Sequence, residues 1–248
     1  MVKVLLLLTL SISQGNAGKT VREGVYTVDQ AGRGGTVFAE KCASCHGAHL
    51  DGTQGSAVEV DGPPLVGSAF IEKWREDDLG ELFKYIQNGM PREAADTVSD
   101  AAKVDILAFI LKSNDFPAGT AELTADLTAK IMLTGKDGPK PVPSLTPVLV
   151  AGCLTQTSAT SWTLTAASEP VRTHVPDEIS IEEMAAAQHR APGLLLFKLP
   201  NLEFAVPGVK PDDLKNHKVQ VKGVVYRQPN NERINVTAMR SLAATCSP

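Results

Sequence analysis

The sequence predicts two domains: an all-α domain over residues 18–133, then a small mainly-β barrel or sandwich over 148–248. Three observations carry this. Apolar residues recur at helical spacing, behind side-chain caps, from position 27 to 112. Residues 134–147 (TGKDGPKPVPSLTP) are rich in proline and glycine and have no apolar period, the composition of a semi-rigid linker. Beyond it, stretches rich in β-branched residues alternate with turn residues. At 248 residues and 43% apolar content, each half has enough material for its own core.

The first residues read as a secretory signal over 1–17. Lys3 supplies a positive start, Val4 to Ile12 a short apolar run, and Gly15-Asn16-Ala17 the small residues of a cleavage site, so Gly18 begins the mature chain. The run is too short to span a bilayer, and no later segment is long enough; a retained N-terminal anchor is the competing reading. The expected location is periplasmic or secreted, a setting that permits disulfides.

In the first domain a helix is expected over 28–41, with Thr27 as cap and Gln30 reaching back to complete a capping box. Val28, Ala31 and Phe38 lie near one face. Gly34 and Gly35 cost helix stability, which is tolerable where another helix must come close. The partner is a helix over 100–112 behind Ser99, with Val104, Leu107, Ala108 and Leu111 as its stripe and Ile106, Phe109 and Ile110 widening it. A third helix over 78–88, capped by Asp77, turns Leu79, Leu82, Phe83 and Ile86 inward and stops at a left-handed Gly89.

The helix over 28–41 ends at Cys42-Ala43-Ser44-Cys45-His46. The pattern C-x-x-C-H is the attachment site of a c-type haem: the two thiols add to the porphyrin vinyl groups, and the histidine becomes the proximal iron ligand. A zinc site needs a second ligand pair, whereas Cys153 and Cys246 stand alone. A thioredoxin-like pair needs a βαβ context that the flanks lack. Met90-Pro91 follows the third helix, 44 residues after His46, and offers a neutral thioether as the opposite iron ligand. Met132 is its rival, and His49 is too near His46 to reach the other haem face. In the loop Gly62-Pro63-Pro64-Leu65-Val66-Gly67, the Pro63 carbonyl is expected to accept the second ring N–H of His46; the alternative is a rigid surface turn. Trp74 offers an indole N–H to a haem propionate or packs as an ordinary core residue.

Residues 25–119 resemble a class I, mitochondrial-type cytochrome c domain on Gly34, Phe38, the C-x-x-C-H motif, Gly62-Pro63, Met90-Pro91, Ile106 and Phe109. More narrowly, Gln30-Ala31-Gly32-Arg33-Gly34, Cys45-His46-Gly47, Leu50-x-Gly52, Phe70-x3-Trp74, Met90-Pro91 and Asn114-x-Phe116-Pro117-Ala118-Gly119 are similar to cytochromes that accompany quinoprotein alcohol and sugar dehydrogenases. The resemblance implies one covalently bound haem c with His46/Met90 ligation and single-electron transfer. It also implies a dehydrogenase as donor and a cytochrome or oxidase as acceptor. The chain then reads as a carrier or electron-transfer subunit rather than an enzyme. Rival readings are a haem enzyme or gas sensor with an open distal site, and a binding module docked through its C-terminal barrel.

Residues 21–130 hold 10 basic and 18 acidic side chains, a net charge of −8; residues 131–248 hold 12 and 10, a net charge of +2. Neither balance suggests a nucleic-acid partner, and an acidic haem domain either is simply soluble or steers a basic redox partner. A further amphipathic helix is expected over 120–133 through Leu123, Leu127 and Ile131.

In the second domain, strands are expected at 148–154, 161–165, 193–198, 218–226 and 233–236, with a short helix at 211–216 and an acidic, alanine-rich excursion or helix at 176–191. The pattern weakly resembles an oligonucleotide/oligosaccharide-binding-type (OB-like) barrel, without a binding motif. Trp162 is expected in the core. His174, His189 and His217 lack metal-ligand spacing, and Asn235-Val236-Thr237 fits a glycosylation pattern that is common by chance. Cys153 and Cys246, at the two ends of this domain, are expected to form a disulfide; the alternative is two unrelated thiols.

Overall fold

A computed structural model describes residues 19–52, 62–190 and 192–246; the expected signal segment lies outside them. The chain divides into two compact units. Met1–Gly67 and Asp78–Leu133 make up the first, and Ser68–Asp77 and Thr134–Pro248 the second.

The first unit is carried by helices α1 (Val28–Lys41), α2 (Ala43–His46), α4 (Leu79–Gly89), α5 (Asp100–Ser113) and the single turn α6 (Ala125–Thr128), with α3 (Gly67–Trp74) starting at its edge. Helix α1 starts where Thr27 Oγ1 accepts the Gln30 N–H at 3.2 Å. The Gln30 side chain, however, does not return to the cap. It crosses to Leu123, donating to its carbonyl at 2.8 Å and accepting its N–H at 2.9 Å. Helices α1 and α5 cross at Gly34, where a Cβ would collide with the Asp105 carbonyl, and at Gly35, where it would meet the Phe109 ring at 3.2 Å. Phe38 and Phe109 stack at 5.3 Å between centroids, tilted by 50°. Arg33 closes the outer edge with two bonds to Asp105, at 2.9 and 3.1 Å.

Further expectations for this unit need correction. It is not all-α: β1 (Lys19–Thr20) pairs in parallel with β3 (Ile131–Leu133). The expected helix over 120–133 shrinks to α6, because the Leu123 backbone is already bonded to Gln30 and Thr128 Oγ1 donates to the Ala125 carbonyl at 2.7 Å. Leucines four apart imitate a helical stripe there. The cap of α4 is Asp78, not Asp77, with Oδ1 accepting the Glu81 N–H at 3.1 Å; Gly89 is its last helical residue, and Met90 leaves it with extended backbone (φ −130°, ψ 135°).

The second unit is a strand ring. β4 (Thr146–Ser158) pairs antiparallel with β5 (Ser161–Ala167) through Leu154↔Leu164, and β5 with β7 (Leu195–Leu199) through Leu164↔Phe197. β7 meets β9 (Arg233–Ala243) in parallel at Lys198↔Arg233. β9 pairs with β8 (Lys218–Tyr226) through Val221↔Met239, and β8 closes back on β4 through Val150↔Val221. Two-residue β6 (Val171–Arg172) pairs antiparallel with β4 through Leu149↔Val171. Alternation puts Val148, Val150, Leu154, Leu164, Phe197, Val219, Val221 and Ile234 into one core, joined by Trp162. The outward face of β8 is also buried: Lys222, 1% exposed, reaches Glu183 Oε1 at 2.7 Å on helix α7 (Ile181–Gln188) and the Val175 carbonyl at 2.8 Å.

Between β7 and β8 lie the short helix α8 (Leu202–Ala205) and a 3-10 turn at Pro211–Leu214. The end of the proline-rich stretch is built into this unit, since Val142 is core and β4 starts at Thr146. Ser68–Asp77, which ends in the first residue of β2 (Asp77–Asp78), joins it through Arg172. The Arg172 guanidinium donates to the Arg75 and Glu72 carbonyls at 2.8 and 3.2 Å, and His174 Nε2 lies 2.8 Å from Asp77 Oδ2. Cys153 in β4 and Cys246 after β9 form a disulfide, with Cα atoms 5.6 Å apart.

Candidate haem site

The C-x-x-C-H motif folds as a tight turn on the end of α1. Cys42 donates its N–H to the Phe38 carbonyl at 2.9 Å and ends α1, and its own carbonyl accepts the N–H groups of Cys45 (3.1 Å) and His46 (3.0 Å). One helical turn thus sets Cys42, Cys45 and His46 side by side. Neither Cys42 nor Cys45 is in a disulfide. Burial pushes the Cys42 thiol up to about 11, with the neighbouring Cys45 adding to the shift.

His46 is 9% exposed, and its Nδ1 lies 2.8 Å from the Pro63 carbonyl oxygen. That contact assigns the ring N–H to Nδ1 and leaves Nε2 as the electron-pair donor. Gly62 explains how the chain reaches this position. A Cβ there would collide with the Cys45 carbonyl and stand 3.0 Å from His46 Nδ1, so only glycine lets the loop lie against the motif. Gly52, at φ +83°, turns the chain beneath, where a Cβ would meet the Gly62 carbonyl at 2.9 Å. The far side of the loop is tied to α5: Asn114 Nδ2 donates to the Leu65 carbonyl at 2.9 Å, and its Oδ1 accepts the Gly67 N–H at 3.0 Å. Sequence reasoning assigned no role to Gly62 or Asn114, although both stand in the motifs quoted for the family resemblance.

Met90 is half-buried at the exit of α4, its N–H donating to the Ile86 carbonyl at 3.0 Å. Its rival Met132 sits in β3, paired with Thr20. Trp74 is buried in the part of α3 that belongs to the second unit, with Lys73 Nζ 5.4 Å from its ring centroid. Among the histidines without expected ligand roles, His217 Nδ1 pairs with Ser241 Oγ at 3.0 Å and His189 caps α7. Trp162 donates its indole N–H to Glu203 at 2.8 Å.

The donor set suits a haem. Two thiols and an imidazole with a free Nε2 stand on one turn, and a soft thioether is available in the same unit. Among the described residues, no group of three or more His, Cys, Asp or Glu side chains is disposed to hold a bare metal ion, and no helix is long and apolar enough to cross a membrane.

Residues 29–110, about a third of the chain, match the family model of cytochrome c oxidase, cbb3-type, subunit III. No curated protein and no solved structure matches the chain. The matched segment runs from the first turn of α1 through the C-x-x-C-H turn and Met90 to the last turns of α5. The match supports a c-type cytochrome domain over these residues, which implies haem c as its cofactor and haem-based electron transfer as its activity.

Proposed function

We propose that this chain is an exported carrier of single electrons, with one haem bound covalently through Cys42 and Cys45 and ligated by His46 and Met90. The observation that carries the reading is the His46–Pro63 pair, which fixes the imidazole tautomer and aims the free nitrogen from a motif built for thioether attachment. The haem supplies a reversible one-electron change between ferrous and ferric iron. The residues would hold it: Cys42 and Cys45 would attach the porphyrin covalently, and His46 and Met90 would ligate the iron through an imidazole nitrogen and a thioether. A neutral thioether favours the ferrous state and raises the potential.

The donor in this reading is a quinoprotein-type dehydrogenase, as the short family motifs suggest, and the acceptor is a respiratory cytochrome or oxidase. The matched family is named for an oxidase subunit, which supports an oxidase at the acceptor end. For the second unit we propose an OB-like barrel that docks a partner. The ring order β4-β5-β7-β9-β8, with β7 and β9 parallel and the short helices between β7 and β8, supports the barrel.

The test is the mature protein produced with haem-attachment machinery, and a Met90→Ala variant beside it. Both are expected to carry covalent haem; the variant is expected to have a lower potential and to bind carbon monoxide or cyanide more readily. A wild-type protein that binds carbon monoxide as readily as the variant would instead be a sensor or enzyme with an open distal side.

A further inference from the structure

Helix α5 presents apolar residues on most of its surface, yet Lys103 is buried among them at 3% exposure. Its ammonium donates to two backbone carbonyls, Gln87 in the last turn of α4 and Ala95, each at 2.7 Å. A buried ammonium is costly unless its donors are bonded, so an apolar residue is the ordinary choice at such a position. What distinguishes the site is where the acceptors lie. Gln87 and Ala95 flank residues 88–94, the segment that carries Met90.

The near end of this segment is tied a second time. Gln87 Nε2 donates to Asp100 Oδ2 at 2.7 Å, and Asp100 is the first residue of α5. Within the segment, the Ala94 N–H donates to the Pro91 carbonyl at 3.0 Å, which shapes the loop without anchoring it to α5. The Gln87 carbonyl belongs to the C-terminal turn of α4, where the helix dipole favours a cation. Lysine answers this geometry: two carbonyls converge on one buried point, and one ammonium has donors for both.

We propose that Lys103 is the positioning residue for the sixth ligand, clamping both ends of the Met90 loop to α5 so that the thioether is presented from a fixed place. The proposal rests on the reading of Met90 as that ligand. A thioether is neutral and weakly held, so its advantage over a competing ligand depends on how little the loop must be ordered when it binds. Without the clamp, the two part-buried carbonyls lose their shared donor, and the loop relaxes toward water.

The experiment compares four ferric holoproteins with the wild type: Lys103→Met, Asp100→Ala, Tyr26→Phe and Met90→Ala. Readouts are the sulfur-to-iron charge-transfer band, the affinity for added imidazole and the thermal midpoint. Tyr26→Phe is the structural control, because it removes the 2.6 Å bond from Tyr26 to the Phe116 carbonyl beyond the other end of α5. Lys103→Met is expected to keep its covalent haem, weaken the band and bind imidazole about tenfold to a hundredfold more tightly, the range for losing a hydrogen bond to a charged group. Asp100→Ala changes an exposed helix start and folds even if Lys103→Met does not; it is expected to shift affinity the same way by less. Tyr26→Phe is expected to lower the thermal midpoint and leave imidazole affinity alone.

If Tyr26→Phe raises the affinity as much as the clamp variants, or if both clamp variants bind imidazole as the wild type does, the proposal is overturned. A Met90→Ala protein that keeps the band removes the reading underneath, and the clamp with it. A Met90→Ala protein that loses the band, beside clamp variants that behave as wild type, overturns the clamp alone.

Discussion

At Gly62 a single missing methyl group decides where Pro63 sits. Alanine there would meet the Cys45 carbonyl, and the neighbour is backbone of the C-x-x-C-H turn, which cannot yield cheaply. Gly62→Ala is therefore expected to push the Pro63 carbonyl away from His46 Nδ1. A weaker acceptor makes the imidazole less basic and stabilises ferric iron less, so the potential should rise, by about 59 mV for each tenfold change in relative affinity. Redox titration checks this against wild type; an unchanged potential would reduce the loop to a surface turn. Pro63 is legible from sequence because a proline carbonyl near the histidine of a C-x-x-C-H motif has an evident partner, and the contact is present. Gly62 and Lys103 are not, since one acts through an absent side chain and the other is a charge whose acceptors are backbone atoms distant in sequence.

Among the elements, α1 and α5 form the crossing on which the first unit is built. Gly34 allows the backbones to touch, and Phe38 and Phe109 fill the space beside it. Gly34→Ala gains helix propensity but overpacks the crossing, and is expected to destabilise the domain by about 1–3 kcal/mol, read by denaturant unfolding followed at the haem band. A neutral or stabilising result would mean the helices separate without cost. Both helices are readable in advance because caps and stripes are local signals, with Thr27 and Ser99 capping as their types suggest. The stretch 120–133 is not, because a long-range partner overrides the local pattern. Gln30 takes the Leu123 backbone, and Ile131–Leu133 completes a parallel pair with Lys19–Thr20, which no local signal announces. Strand positions in the second unit follow from alternation, whereas the ring order depends on pairings between distant segments.

On the scale of the whole chain, two units carry separate cores, and the second is closed covalently by Cys153–Cys246 across a sequence separation of 93 residues. Loop-closure entropy for so long a loop corresponds to about 4–5 kcal/mol, an upper figure. Cys153→Ser with Cys246→Ser is expected to destabilise the strand-rich unit by most of that, lowering its melting temperature, while leaving the haem band's own transition in place. Calorimetry with absorbance detection separates the two; a single shifted transition would mean the units unfold as one.

The central claim is that His46 and Met90 ligate one covalently held haem in a carrier of electrons. Near-infrared magnetic circular dichroism of the ferric mature protein tests it most directly, since the energy of the charge-transfer band reports the axial ligand pair. The account predicts a low-spin His/thioether signature that disappears in Met90→Ala. A high-spin signature, or one from two nitrogen ligands, in the wild-type protein would contradict it.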